Sequence, residues 1–190
     1  MLNTLSSFFY RIASWKTLFL GVVLYMPFPA YLFKNLEAQM NALAGKIVGP
    51  IDLLLGYNPA KISQMVADYG SEGRAIYAQG ELTTDIVYPL IYTFLFCTIL
   101  SLLFRNRTYA PFQLVNVLPV GIWAFDLMEN ACIVYLLKSY PQASEAAALL
   151  CSVVTNLKWG VTLVVAIVFV YGLIRLVVGS RQRTQQASAS

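Results

Sequence analysis

Residues 85–104 read DIVYPLIYTFLFCTILSLLF, an apolar run whose one charged residue, Asp85, stands at its edge. A bilayer core of roughly 30 Å is crossed by about 20 mostly apolar residues in a helix, so this stretch is long enough to span. Three more qualify: 17–33 (TLFLGVVLYMPFPAYLF), 112–137 and 159–178. The reading is an all-α integral membrane protein, a bundle of four transmembrane helices forming a single domain over residues 1–180. The composition agrees. Of 190 residues, 58% are hydrophobic and 12% charged, against roughly 25% charged in a soluble domain. A water-soluble fold of this length has too much surface to cover with so few polar residues.

The N-terminal run leads into Met26-Pro27-Phe28-Pro29-Ala30, which lacks a small–x–small cleavage pattern, so a retained first span is expected. Ahead of it, Leu2, Leu5, Phe8, Phe9 and Ile12 fall near helical spacing, as in a short interfacial helix. Charge sets the orientation. With the N-terminus inside, the inner segments hold Arg11, Lys16, Arg105, Arg107, Arg175, Arg181 and Arg183 and no acid, while all nine carboxylates fall outward. The positive-inside rule then puts both termini in the cytoplasm, with a bacterial inner membrane as the expected location. Residues 181–190 (RQRTQQASAS) are polar and are expected as a disordered cytoplasmic tail.

Residues 34–84 join the first two spans and are too many for a structureless loop. Asn58-Pro59 is a helix start, with Asn58 as N-cap and Pro59 in the first turn. That helix is expected to stop near Gly70, and another to begin near Ser71. The segment is expected as a helical outer lid.

Several chemistries are excluded. Histidine is absent, which removes histidine triads, histidine zinc sites and bis-histidine haem. The three cysteines, Cys97, Cys132 and Cys151, form no C-x-x-C pair. There is no P-loop, dinucleotide fingerprint or G-x-S-x-G elbow. No cofactor, metal or nucleic-acid partner is expected.

What remains is polar chemistry at depth. The third span contains Trp123-Ala-Phe-Asp126-Leu-Met-Glu129-Asn130. Counting about 1.5 Å per residue from residue 112 puts Asp126 roughly 21 Å along, in the outer half. Asp126, Glu129 and Asn130 share a helical face, with Trp123 one turn inward. Because lipid cannot hydrogen-bond them, that face must point into the bundle. Asp85, Tyr88 and Tyr92 make a comparable stripe on the second span, and Lys158 stands at the head of the fourth. Together these describe an acidic, tyrosine-rich chamber in the outer leaflet, with Lys158 and Arg74 as its cations and Glu72 beside Arg74. Tyr25, Tyr31, Trp15 and Trp159 suit an interfacial belt. The inner half reads as plain hydrophobic packing.

Tyr69-Gly70-Ser71-Glu72-Gly73-Arg74, then Asp85 and Tyr88-Pro89, then Asp126-Leu127-Met128-Glu129-Asn130, resemble small bacterial four-span membrane proteins of unassigned function. The resemblance implies the four-span bundle and carries no activity with it.

Three functions fit these residues. The first is binding of membrane lipid or an amphiphilic small molecule in the chamber, with catalysis left open. The second is a proton- or cation-coupled transporter or channel subunit, against which the two halves show no repeat. The third is an assembly partner of another membrane protein, with the polar cluster as interhelical glue. The oligomeric state is not set by the sequence.

Overall fold

The computed structural model describes residues 1–105, 112–142 and 144–188, those at 112 and 179–188 by backbone alone. The described residues are helical apart from short connections. Four helices are long and apolar enough to cross a membrane: Trp15–Ala44, Gly70–Phe104, Gln113–Lys138 and Glu145–Val178, of 30, 35, 26 and 34 residues. At 1.5 Å per residue even the shortest is about 39 Å long, so all four exceed a bilayer core.

In finer detail the chain forms α1 (Leu2–Ile12), α2 (Trp15–Tyr25), a π-helical turn (Phe28–Leu32) and α3 (Phe33–Ala44), followed by a 3₁₀ turn (Ile51–Leu53). Next come α4 (Pro59–Asp68), α5 (Gly70–Leu82) and α6 (Thr84–Phe104). A 3₁₀ stretch (Phe112–Val117), α7 (Pro119–Lys138) and α8 (Glu145–Ser188) complete it. The central helices are α6 and α7: α2 packs on α6, α8 on α7, and α5 on both α7 and α3. Large apolar side chains remain exposed on α2 (Phe19, Leu20, Val23, Leu24) and α8 (Leu163, Val164, Ile167, Ile174). Outward-facing apolar surface on this scale suits lipid rather than water.

Local chemistry explains the breaks. Ser14 caps α2 reciprocally with Thr17: the Thr17 N–H donates to Ser14 Oγ at 3.2 Å, and the Ser14 N–H to Thr17 Oγ1 at 2.8 Å. Pro29 has no N–H and its ring displaces a carbonyl one turn back. The helix answers by widening, with the Phe33 N–H bonded to the Phe28 carbonyl five residues earlier. It then continues, so residues 34–44, expected in the lid, extend the first long helix. Residues 70–82 likewise run into the second, broken only at Thr83. Gly70, with φ +66°, supplies the left-handed turn between α4 and α5. Gly80 lets α3 close on α5, since a Cβ there would come within 2.7 Å of Leu36.

Two expectations are corrected. Residues 181–188, expected as a disordered tail, continue α8 to Ser188. Extending an established helix costs little, and Arg and Gln are good helix formers. Residues 189–190, and Arg107 with the rest of 106–111, lie outside the described residues.

The bundle end near α1 is also more than plain hydrophobic packing. Residues 112–117, expected as helix inside the third span, form the 3₁₀ stretch instead, and Pro119 starts α7 after it. Within that stretch Asn116 is fully buried. Its Nδ2 donates to the Ser6 carbonyl at 3.0 Å and to Ser101 Oγ at 2.9 Å. Ser6 Oγ donates back to Asn116 Oδ1 at 2.7 Å. One amide thereby joins α1, α6 and the start of the third span.

Asn116→Ala orphans these buried groups, at a cost of about 1–3 kcal/mol. Reversible denaturant unfolding should show the loss, and Ser101→Ala, which removes a single bond, should cost less. Equal effects would mean that Asn116 is not the hub.

Candidate functional site

A cavity of about 400 Å³ lies where α3, α5, α6, α7 and α8 meet, beneath the 3₁₀ turn at 51–53. One wall is aromatic: Tyr25, Phe33, Tyr88, Tyr92 and Phe96. The Tyr88 ring stands at its centre, 5.6 Å from Tyr25, 4.8 Å from Phe33 and 5.1 Å from Tyr92 between centroids. The latter two contacts are edge-to-face, a favoured aromatic geometry. The other wall carries Asp52, Glu81, Asp85, Asp126 and Lys158, with Glu37 on α3.

Lys158 organises the charged wall. Its Nζ pairs with Glu129 and stands 3.1 Å from an Asp126 oxygen. Glu129, fully buried, also accepts from Thr155 Oγ1. With that hydroxyl proton engaged, the Tyr57 hydroxyl is the donor in its 3.1 Å contact with Thr155. Asp126 accepts from Tyr92 at 3.0 Å. Buried charges are tolerable when paired and hydrogen-bonded in this way.

The segment 46–57 is tied over the cavity by side chains. Tyr77 accepts from the Ile51 N–H at 2.8 Å and donates to Asp52 at 3.2 Å. Trp159 Nε1 donates to the Asp52 carbonyl at 3.3 Å, and Tyr69 to the Gly49 carbonyl at 2.7 Å. Ser152 holds the Tyr57 carbonyl at 2.9 Å. Burial pushes the Asp52 carboxyl above its ordinary range, a shift partly opposed by Lys158. The Tyr57 and Tyr69 hydroxyls are raised by burial as well.

The candidate residues divide accordingly. Asp85, Tyr88, Tyr92, Asp126 and Lys158 line the cavity. Glu129 stands behind it, as the counter-charge of Lys158. Asn130 is buried, donating from Nδ2 to the Asp85 carbonyl at 2.7 Å, and so splints α7 to α6. Trp123 is half-buried outside the lining, its Nε1 without a hydrogen-bond partner. Arg74, expected as a chamber cation, instead lies over the Tyr140 ring at 4.2 Å and donates to the Val66 carbonyl at 3.2 Å. It lines a separate groove with Lys138. Glu72 is exposed and lines neither. The reason is helical face: the groove runs along α5 on the side of Arg74, Ala78 and Leu82, whereas Tyr77 and Glu81 line the cavity.

Residues unexpected at the site are Glu37, Asp52, Tyr77 and Glu81. Glu81 had a signal, since it stands four residues before Asp85 on the same helical stripe. Tyr25 and Trp159, expected in an interfacial belt, line the cavity instead, while Trp15 and Tyr31 are largely exposed.

Lys158→Met leaves Glu129 buried and uncompensated and should destabilise by about 3–5 kcal/mol. Adding Glu129→Leu should recover most of that loss in the same unfolding assay, and a further loss would refute the pairing. Because the folded chain raises the Asp52 pKa, its neutral form is the one folding favours. Docking of 46–57 should therefore be strongest below the unfolded value of about 3.9 and weaken as pH climbs through the raised one. Trp159 fluorescence in a Trp15→Phe/Trp123→Phe background reports this, and Asp52→Asn should flatten the profile.

No family model matches the chain, and no curated protein or solved structure is detectably similar to it, so the chemistry of this site is read from its geometry.

Proposed function

We propose that this chain is an integral membrane protein that binds a lipid or another amphiphilic small molecule inside its bundle. Both termini lie in the cytoplasm of a bacterial inner membrane, and the chamber lies toward the opposite leaflet, under the lid formed by 46–57 and α4. The orientation rests on Arg11, Lys16, Arg105, Arg107, Arg175, Arg181 and Arg183, all at one end of the spans by sequence. The carboxylates of the chamber stand toward the other end.

The observation that carries the binding reading is the cavity itself. Its volume, about 400 Å³, falls within the roughly 300–1,000 Å³ usual for small-molecule sites. Its lining also combines a cluster of tyrosine and phenylalanine rings with several carboxyl groups and one lysine. Interhelical glue needs the polar row, yet it has no use for a cavity lined by aromatic rings beside it, because packing is what holds membrane helices together. A molecule with an apolar body and a polar head satisfies both walls.

Native mass spectrometry of the gently extracted protein tests this. The wild type should carry a discrete amphiphile, and Thr162→Trp, which fills the cavity from α8, should lose it while keeping its helical circular dichroism. A wild-type spectrum without any adduct, or an adduct unaffected by Thr162→Trp, would sink the reading.

A further inference from the structure

Acidic and basic groups on the cavity lining are unequal in number. Five carboxylates line it, with Lys158 the one basic residue among the lining, and the charge of Lys158 is already shared between Asp126 and Glu129. Neither Glu81 nor Asp85 makes an ion pair among the described residues. Glu81 is the sharper case: it is 1% exposed, and its Oε2 has no hydrogen-bond partner. A buried carboxyl oxygen on a cavity-lining residue, with nothing to accept from, is an unmet demand for a donor.

Resting on the amphiphile reading above, we propose that the ligand is an organic cation: a protonated amine on an apolar body. Its ammonium lies between Glu81 and Asp85, and its body lies against Tyr25, Tyr88 and Tyr92.

Three observations narrow the chemistry to this class. An anionic head, such as a carboxylate or phosphate, would meet a row of like charges and a lysine already committed. A bare metal ion is disfavoured because no group of three or more carboxylates or thiols converges to hold one among the described residues. An ammonium needs no such convergence, since its donors reach separate acceptors around a wider space. The tyrosine wall completes the fit, because the faces of aromatic rings attract cations through their quadrupoles, more so where water is excluded.

The test uses one body with three heads. 4-Phenylbutylamine, 4-phenylbutan-1-ol and 4-phenylbutyrate are titrated at pH 7 against the full chain in phosphatidylcholine nanodiscs, with empty nanodiscs as the partition control. The amine should bind at least tenfold tighter than the alcohol, and the carboxylate should bind weakest. Glu81→Gln should lower amine affinity at least tenfold and alcohol affinity less than twofold, and Asp85→Asn should act likewise should Glu81→Gln fail to fold. Dodecylamine separates the sources: binding tighter than the phenyl amine assigns the site to a lipid-like amine, and weaker binding to a compact aromatic one. An alcohol bound as tightly as the amine, or an amine indifferent to Glu81→Gln, overturns the cation assignment while leaving the amphiphile reading standing. No binding by any of these probes, together with no co-purifying amphiphile, overturns both.

Discussion

Lys158 holds its charge between Asp126 and Glu129 in a largely buried position, and much of the bundle is arranged to make that possible. Glu129 can be ionised only because Lys158 and Thr155 meet its two oxygens. Thr155 in turn is met by Tyr57, from the segment that covers the cavity. Asp126 is met by Tyr92, whose ring belongs to the aromatic wall. The polar centre thus reaches α6, α7, α8 and the cover through single side chains. Replacing a buried ion pair by apolar residues of equal volume is often neutral or stabilising, so these charges do not by themselves account for the stability of the bundle.

Shape comes from the irregular residues. The widened turn around Pro29 carries the first long helix from Tyr25, on the cavity wall, to Phe33 and Leu36, also on it, and Gly80 lets that helix lie close against α5. The contrast between core and periphery follows as well. α6 and α7 bury Tyr92, Leu95, Ile122 and Ile133, whereas α2 and α8 present leucine, valine and phenylalanine outward. Of the helices that build the site, α6 and α7 are the most shielded from the surroundings.

The helices were legible in the sequence because a bilayer imposes length and apolarity together, and few other environments produce runs such as 85–104 or 159–178. The faces of α6 and α7 were legible for a related reason: Asp85, Tyr88 and Tyr92, or Asp126 and Glu129, recur at helical spacing in otherwise apolar stretches, and lipid forbids them to point outward. Glu81 escaped notice because the apolar run was taken to begin at Asp85, although the stripe carries on across Thr83. Asp52 could not be read at all, since its place depends on how Tyr69, Tyr77 and Trp159 fold the connection back over the bundle. Arg74 shows the converse: its charge is visible in the sequence, but which face of α5 meets the cavity is not. Asn116 looked like one polar residue in a span, and only the 3₁₀ geometry turned it into a hub.

The contact between Ser6 and Asn116 also orders events during synthesis. These partners are 110 positions apart in the chain. At elongation rates of about 5–20 residues per second, α1 is complete roughly 5–20 s before the residue that fixes it has been made. Until α6 is made, Phe9 also lacks Phe94, whose ring lies 6.4 Å from its own in the folded chain. An amphipathic helix of this kind has an apolar face that a membrane surface can hold until the later helices supply its contacts.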